Sequence, residues 1–146
     1  MKENFTFTVK KDIRAAFLAL TDFKAMSALS EGKIEVATIP GTPSAGPGSA
    51  LLLRLPMAGG QEVRCETVEW DEPRRCVRRF AVPDLPTIVF FDFREQADGS
   101  TKVSVDVELT PQSMLYKMML PMLAKQVLAQ KGQALQDFQR QLEQAG

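Results

Sequence analysis

Apolar and polar residues alternate at the start of the chain. In Phe5-Thr6-Phe7-Thr8-Val9 every second residue is a large β-former, the mark of a half-buried strand. Asp12 is then placed to cap a helix over Ile13 to Leu20, where Ile13, Phe17 and Leu20 share one face. Thr21-Asp22 offers a second cap, and Phe23 to Leu29 reads as a second short helix. Glu31 to Thr38 alternates again, with Ile34 and Val36 on one side. Ile39 to Pro47 is rich in Pro, Gly, Ser and Thr and reads as a loop.

From Gly48 the pattern is a succession of strands. Leu51, Leu53 and Leu55 alternate with Leu52 and Arg54, and Ala58-Gly59-Gly60 turns the chain. Gln61 to Trp70 is a long strand, Asp71-Glu72-Pro73 a turn, and Arg74 to Val82 the returning strand. Pro83 and Pro86 bracket a loop before the β-forming run Thr87 to Arg94. Ala97-Asp98-Gly99-Ser100 is a hairpin turn, with Gly99 free to take a positive φ. Lys102 to Leu109 sets Val103, Val105, Val107 and Leu109 against four polar residues, and Pro111 ends it.

The period then changes. Gln112 to Gln144 is rich in Gln, Leu, Met, Lys and Ala, and reads as one long helix that Pro121 can kink. Beyond Leu120, the residues Ala124, Val127, Leu128, Lys131, Leu135, Phe138 and Leu142 fall on one stripe. The order predicts an α+β chain, one domain over residues 1–146. A curled antiparallel sheet of about seven strands wraps the long C-terminal helix, and two short helices follow the first strand. A sheet with one apolar face needs a cover, and that helix is the only large amphipathic element available.

Several segments resemble the SRPBCC superfamily, the helix-grip proteins that include START lipid-transfer domains, birch-pollen-allergen-like proteins and polyketide cyclase/dehydrase-like proteins. The resemblance is carried by Val9-Lys10-Lys11-Asp12-Ile13 with Phe17 to Phe23, by the strand entry Gly46-Pro47-Gly48-Ser49, and by the hairpin Val68 to Arg75. The Leu-rich C-terminal helix completes it. The order of elements is the specific part, and it covers almost the whole chain. The family shares no catalytic motif, so the resemblance implies a cavity between sheet and helix but assigns no catalytic residue.

Composition narrows the chemistry. The 146 residues hold 18 basic and 18 acidic side chains, so the chain lacks the net positive charge on which nonspecific nucleic-acid binding depends. Histidine is absent, which removes every mechanism built on an imidazole. Two cysteines, Cys65 and Cys76, are too few for a disulfide framework and lie outside any ligand spacing, so neither a metal nor another cofactor is expected. The first residues lack the apolar core of a signal peptide, and no apolar run approaches the ~20 residues of a membrane span. The expected location is the cytoplasm.

Few side chains are candidates for chemistry. Arg78 shares strand parity with Cys76 and Phe80. Either it points inward, where it can bind a carboxylate or phosphate, or the strand end carries it outside. Lys131 is either a cavity cation or a side chain that snorkels past the core edge. Asp92, between Phe91 and Phe93, is an exposed residue or a buried acid. Trp70 is expected to pack beside its turn under Arg75, and Tyr116 to sit at the cavity mouth or on a solvated helix face.

The turn at Asp71-Glu72-Pro73 sets Glu69 opposite Cys76, Cys65 near Phe80, Glu66 against Arg79 and Trp70 against Arg75. The thiols then lie too far apart to bridge. A cavity is expected between sheet and helix, lined by Leu53, Leu55, Val63, Phe80, Phe91, Val105, Met118, Met122 and Val127, with Arg78 and Lys131 as the nearest cations. The leading functional expectation is binding or transport of a small apolar or amphipathic ligand, such as a lipid, an aromatic or a polyketide-like molecule. A cyclase/dehydratase-like enzyme and a protein–protein module are the alternatives, so a protein partner stays open.

Overall fold

In the computed structural model, residues 2–22, 35–43, 46–54, 62–115, 117–119 and 121 are described. They build one seven-stranded sheet with a helix across part of it. The elements are β1 (Lys2–Val9), α1 (Ile13–Thr21), β2 (Glu35–Thr38), β3 (Ala50–Arg54), β4 (Glu62–Asp71), β5 (Arg75–Phe80), β6 (Thr87–Glu95) and β7 (Thr101–Leu109). The sheet order is β1-β7-β6-β5-β4-β3-β2. Every neighbouring pair is antiparallel, so β2 to β7 form a meander and β1 closes onto the far edge of β7.

The seven expected strands all appear. The second helix expected over Phe23 to Leu29 lies outside the described residues, as does the long helix beyond Pro121. Of the latter, residues 114–115, 117–119 and 121 are described as helical.

Helix α1 starts where its cap predicts. The Asp12 carboxylate accepts the Ala15 N–H at 2.8 Å, satisfying one of the free donors at the helix start. The helix buries Ala16, Phe17, Leu20 and Thr21 and leaves Leu18 exposed. At its far end the Thr21 hydroxyl donates back to the Phe17 carbonyl at 2.6 Å. Phe17, fully buried, meets Trp70 and Phe93 edge-on at 4.9 and 5.1 Å, and with Phe7, Val9, Cys76 and Val103 they form the larger core cluster.

The inner sheet face follows from the register. Leu51, Cys65, Phe80, Thr87 and Leu109 form one row across the strands; Thr67, Arg78, Val89 and Val107 form the next; Cys76, Phe91, Val105 and Phe5 a third. The outer face carries ion pairs. Glu66 lies between Arg64 at 2.7 Å and Arg79 at 3.7 Å, and Arg54 reaches both Glu35 and Glu62. The Glu66–Arg79 and Cys65–Phe80 pairings agree with the sequence register.

One expectation fails here. Between Thr67 and Glu69 the register slips by one residue, because Val68 is an extra residue in a β-bulge and is 46% exposed. Beyond it the parity of β4 reverses. Trp70 therefore faces Cys76 and packs inward on Phe17 rather than outward against Arg75, and Glu69 pairs with Val77 rather than Cys76. Arg75 instead sits over the Phe90 ring at 5.5 Å.

Candidate functional site

The inner face of β3 to β7 is apolar apart from a short polar strip. Leu53 and Val63 are buried there, and Phe80, Phe91 and Val105 are half-buried on the same face, as the strand parity predicts. Met118 does not join them: it is 71% exposed, and the other described residues of this helical stretch are exposed as well. Leu55, Met122, Val127 and Lys131 lie outside the described residues, and so does Tyr116.

Arg78 is the centre of the polar strip and, among the described residues, the largest fully buried side chain, at 2% exposure. Its Nε donates to the Thr67 hydroxyl at 3.3 Å, and an Nη donates to the Thr21 carbonyl at 2.7 Å. Thr67 in turn shares a 2.7 Å hydrogen bond with the Ser49 hydroxyl. One guanidinium thus ties the end of α1 to β4 and β5, and through Thr67 to the start of β3. A buried charge is tolerable only with such partners. Burial lowers the Arg78 pKa, while nearby Cys76, Cys65 and Asp22 act to raise it. The inward alternative for Arg78 is therefore the one the fold adopts.

Sequence reasoning missed its partners Thr67, Ser49 and Thr21. The parity of Cys65 on β4 places Thr67 on the inner face, and the correctly read pairing of Glu66 with Arg79 sets Thr67 beside Arg78. That signal was available for one of the three. The other two come from a loop and a helix end, whose approach no strand pattern encodes.

Two thiols flank Arg78 on this face. Cys65 and Cys76 are free and buried, as their separation in the hairpin register predicts. Burial pushes the Cys65 thiol up to about 12, against the opposing pull of the Arg78 charge, and it raises Cys76 as well. A thiol held protonated in this way is a poor nucleophile.

The linkage gives a prediction. The folded Cys65 thiol keeps its proton where the unfolded one, with its ordinary value near 9, has lost it. The stabilising contribution is complete below pH 9 and disappears as pH rises toward 12. Wild type should lose about 1.4 kcal/mol more than Cys65→Ala between about pH 8 and about pH 10 in urea unfolding. Equal losses in the two proteins would show that Cys65 is not shielded.

Asp92 is not a buried acid of the inner face but a half-buried residue. It stands on the outer face, where its carboxylate meets Arg75 at 3.1 Å. Among the described residues no group of His, Cys, Asp and Glu is placed to hold a metal ion, and no helix is long and apolar enough to cross a membrane.

The sequence matches no family model and no curated protein. Solved structures do match. Ara h 8.0201 is 18% identical, with 99% of this chain aligned to 96% of that one at a TM-score of 0.72. Truncated norcoclaurine synthase from Thalictrum flavum is 11% identical over 99% of this chain and 92% of that one, TM-score 0.72. An HSP90 activator from Plasmodium falciparum is 20% identical over 80% and 78%, TM-score 0.60. At these identities the likeness is one of fold. The chain shares the Bet v 1-like fold of these structures.

Proposed function

We propose that the chain binds or carries a small apolar or amphipathic ligand, of the lipid, aromatic or polyketide-like kind, held against the inner sheet face by the C-terminal helix that the sequence predicts. The observation that carries the reading is the inner face itself. Apolar residues run across β3 to β7, interrupted by one buried cation with its hydroxyl partners, and mostly apolar walls with a few fixed polar groups are what small-molecule sites offer. Leu53, Leu55, Val63, Phe80, Phe91, Val105, Met122 and Val127 are its proposed lining, with Arg78 and Lys131 as its cations.

The buried charge of Arg78 sets the polarity of the ligand. An amphipathic acid should bind the wild-type protein about tenfold more tightly than its methyl ester, a modest Coulombic preference because the Arg78 guanidinium is already engaged by Thr67 and Thr21. Calorimetry with a fatty acid and its ester checks this. Equal affinities would remove the anion preference, and no binding of either would count against the carrier reading.

Of the groups the enzyme alternative would use, Asp92 faces outward in an ion pair and Arg78 lies on the inner face, while Lys131 is outside the described residues. A protein–protein module has one observation in its favour, the exposure of Met114, Leu115 and Met118. Native mass spectrometry of protein from its host separates the readings: a retained small molecule supports the carrier, and a retained partner chain the module.

A further inference from the structure

On the outer face the cations of the strands obey a rule and break it in one place. Among the described strand residues, Lys2, Arg54, Arg64, Arg75 and Arg79 each stand within 3.7 Å of a carboxylate. Arg94 and Lys102 pair with no carboxylate among the described residues, yet they are direct cross-strand partners on β6 and β7. Two like charges placed opposite one another work against the sheet. Arg74 extends the row: its carbonyl accepts the Phe93 N–H at 2.8 Å, which sets it beside Arg94 at the neck of the β4–β5 turn.

These three cations and Arg75 line a groove of about 490 Å³. Its carboxylates are Asp71 and Asp92, and Asp92 is already engaged by Arg75 at 3.1 Å. Ser104 and Thr6 add hydroxyls to the wall. The groove lies on the outer surface of the sheet, whereas the proposed carrier cavity faces the inner one.

We propose that this outer groove is a binding site for a soluble, phosphate-bearing small molecule with two or more negative charges, held by Arg74, Arg94 and Lys102. Guanidinium forks match phosphate oxygens in pairs, and an ammonium adds a third point of contact. A dianion bridging Arg94 and Lys102 converts their repulsion into attraction, which explains why a cross-strand like-charge pair stands where the rest of the outer face pairs opposites. The groove is of a size that suits a small ligand. The strands β6 and β7 fix the backbone positions of the two central cations, and their exposed side chains are ordered on binding.

Inorganic pyrophosphate is the probe, titrated into isotopically labelled protein at low ionic strength, where surface charges are least screened. Saturable shifts are expected at the amides of Arg74, Arg94 and Lys102, together with a rise in melting temperature. Lys102→Gln and Arg94→Gln should each weaken binding by about tenfold or more. Each should also melt higher than wild type when pyrophosphate is absent, because the facing like charge is gone. The proposal is overturned by three results: no shifts, non-saturating shifts shared with Lys10, Lys11 and Arg14, or an affinity that neither variant changes. Adsorption to phosphatidic acid vesicles without any response to pyrophosphate would equally overturn a soluble-ligand site.

Discussion

An Arg78→Ala protein is expected to lose about 3 kcal/mol of folding stability and about 10 °C in melting temperature. The truncation removes the donor from the buried Thr21 carbonyl and one partner from the Thr67 hydroxyl, and it leaves space where the largest fully buried side chain among the described residues stood. Each broken charge-assisted hydrogen bond is worth about 1.5–3 kcal/mol, offset in part by the burial cost of a guanidinium that the variant no longer meets. Hydrogen exchange should show faster opening of the last turn of α1, because Arg78 is its tie to the sheet. A loss under about 1 kcal/mol with unchanged exchange in α1 would mean that this tie does not hold the helix. The same reasoning makes alanine at this position a poor probe of ligand preference, because weakened folding and weakened binding would fall together.

Phe17→Ala is expected to cost about 3–5 kcal/mol, the range for removing a buried aromatic ring from a core. Phe17 is fully buried, and its ring meets both Trp70 and Phe93 edge-on, contacts that add to simple burial. The chain carries a single tryptophan, so the variant reports on itself. Trp70 emission should shift to longer wavelength as water reaches the space left by the ring. Unchanged emission with stability within about 1 kcal/mol of wild type would place Trp70 away from α1, and with it would fall the reversed parity of β4 beyond Val68.

The strands were legible because period-two alternation is what a half-buried strand imposes on a sequence. Val103, Val105 and Val107 stood against Lys102, Ser104 and Asp106, and the fold turns the valines inward. Inward Arg78 was legible from the same parity as one of two readings. The bulge was not legible. Thr67-Val68-Glu69-Trp70 holds no Gly or Pro to mark an irregularity, and Val68 itself continues the look of a strand. The outward reading of Trp70 failed for that reason alone. Nor could the outer cationic row be seen along the chain. Lys102 and Arg94 each look like a solvated strand residue, and only the pairing of β6 with β7 brings them face to face.

The position of β1 has a consequence for how the chain acquires its shape during synthesis. Strands β2 to β7 pair with their sequence neighbours, so each can zip onto the one before it as it leaves the ribosome. β1 emerges before any of them, yet its partner among the described strands is β7, the last of these in the chain, with Lys2 opposite Glu108. Closing so long a loop is entropically costly and slow compared with local hairpin formation. Phe5, Phe7 and Val9 therefore wait without a sheet to cover them until nearly all the other strands are made. The pairing of β1 must await β7, whatever order the local hairpins take.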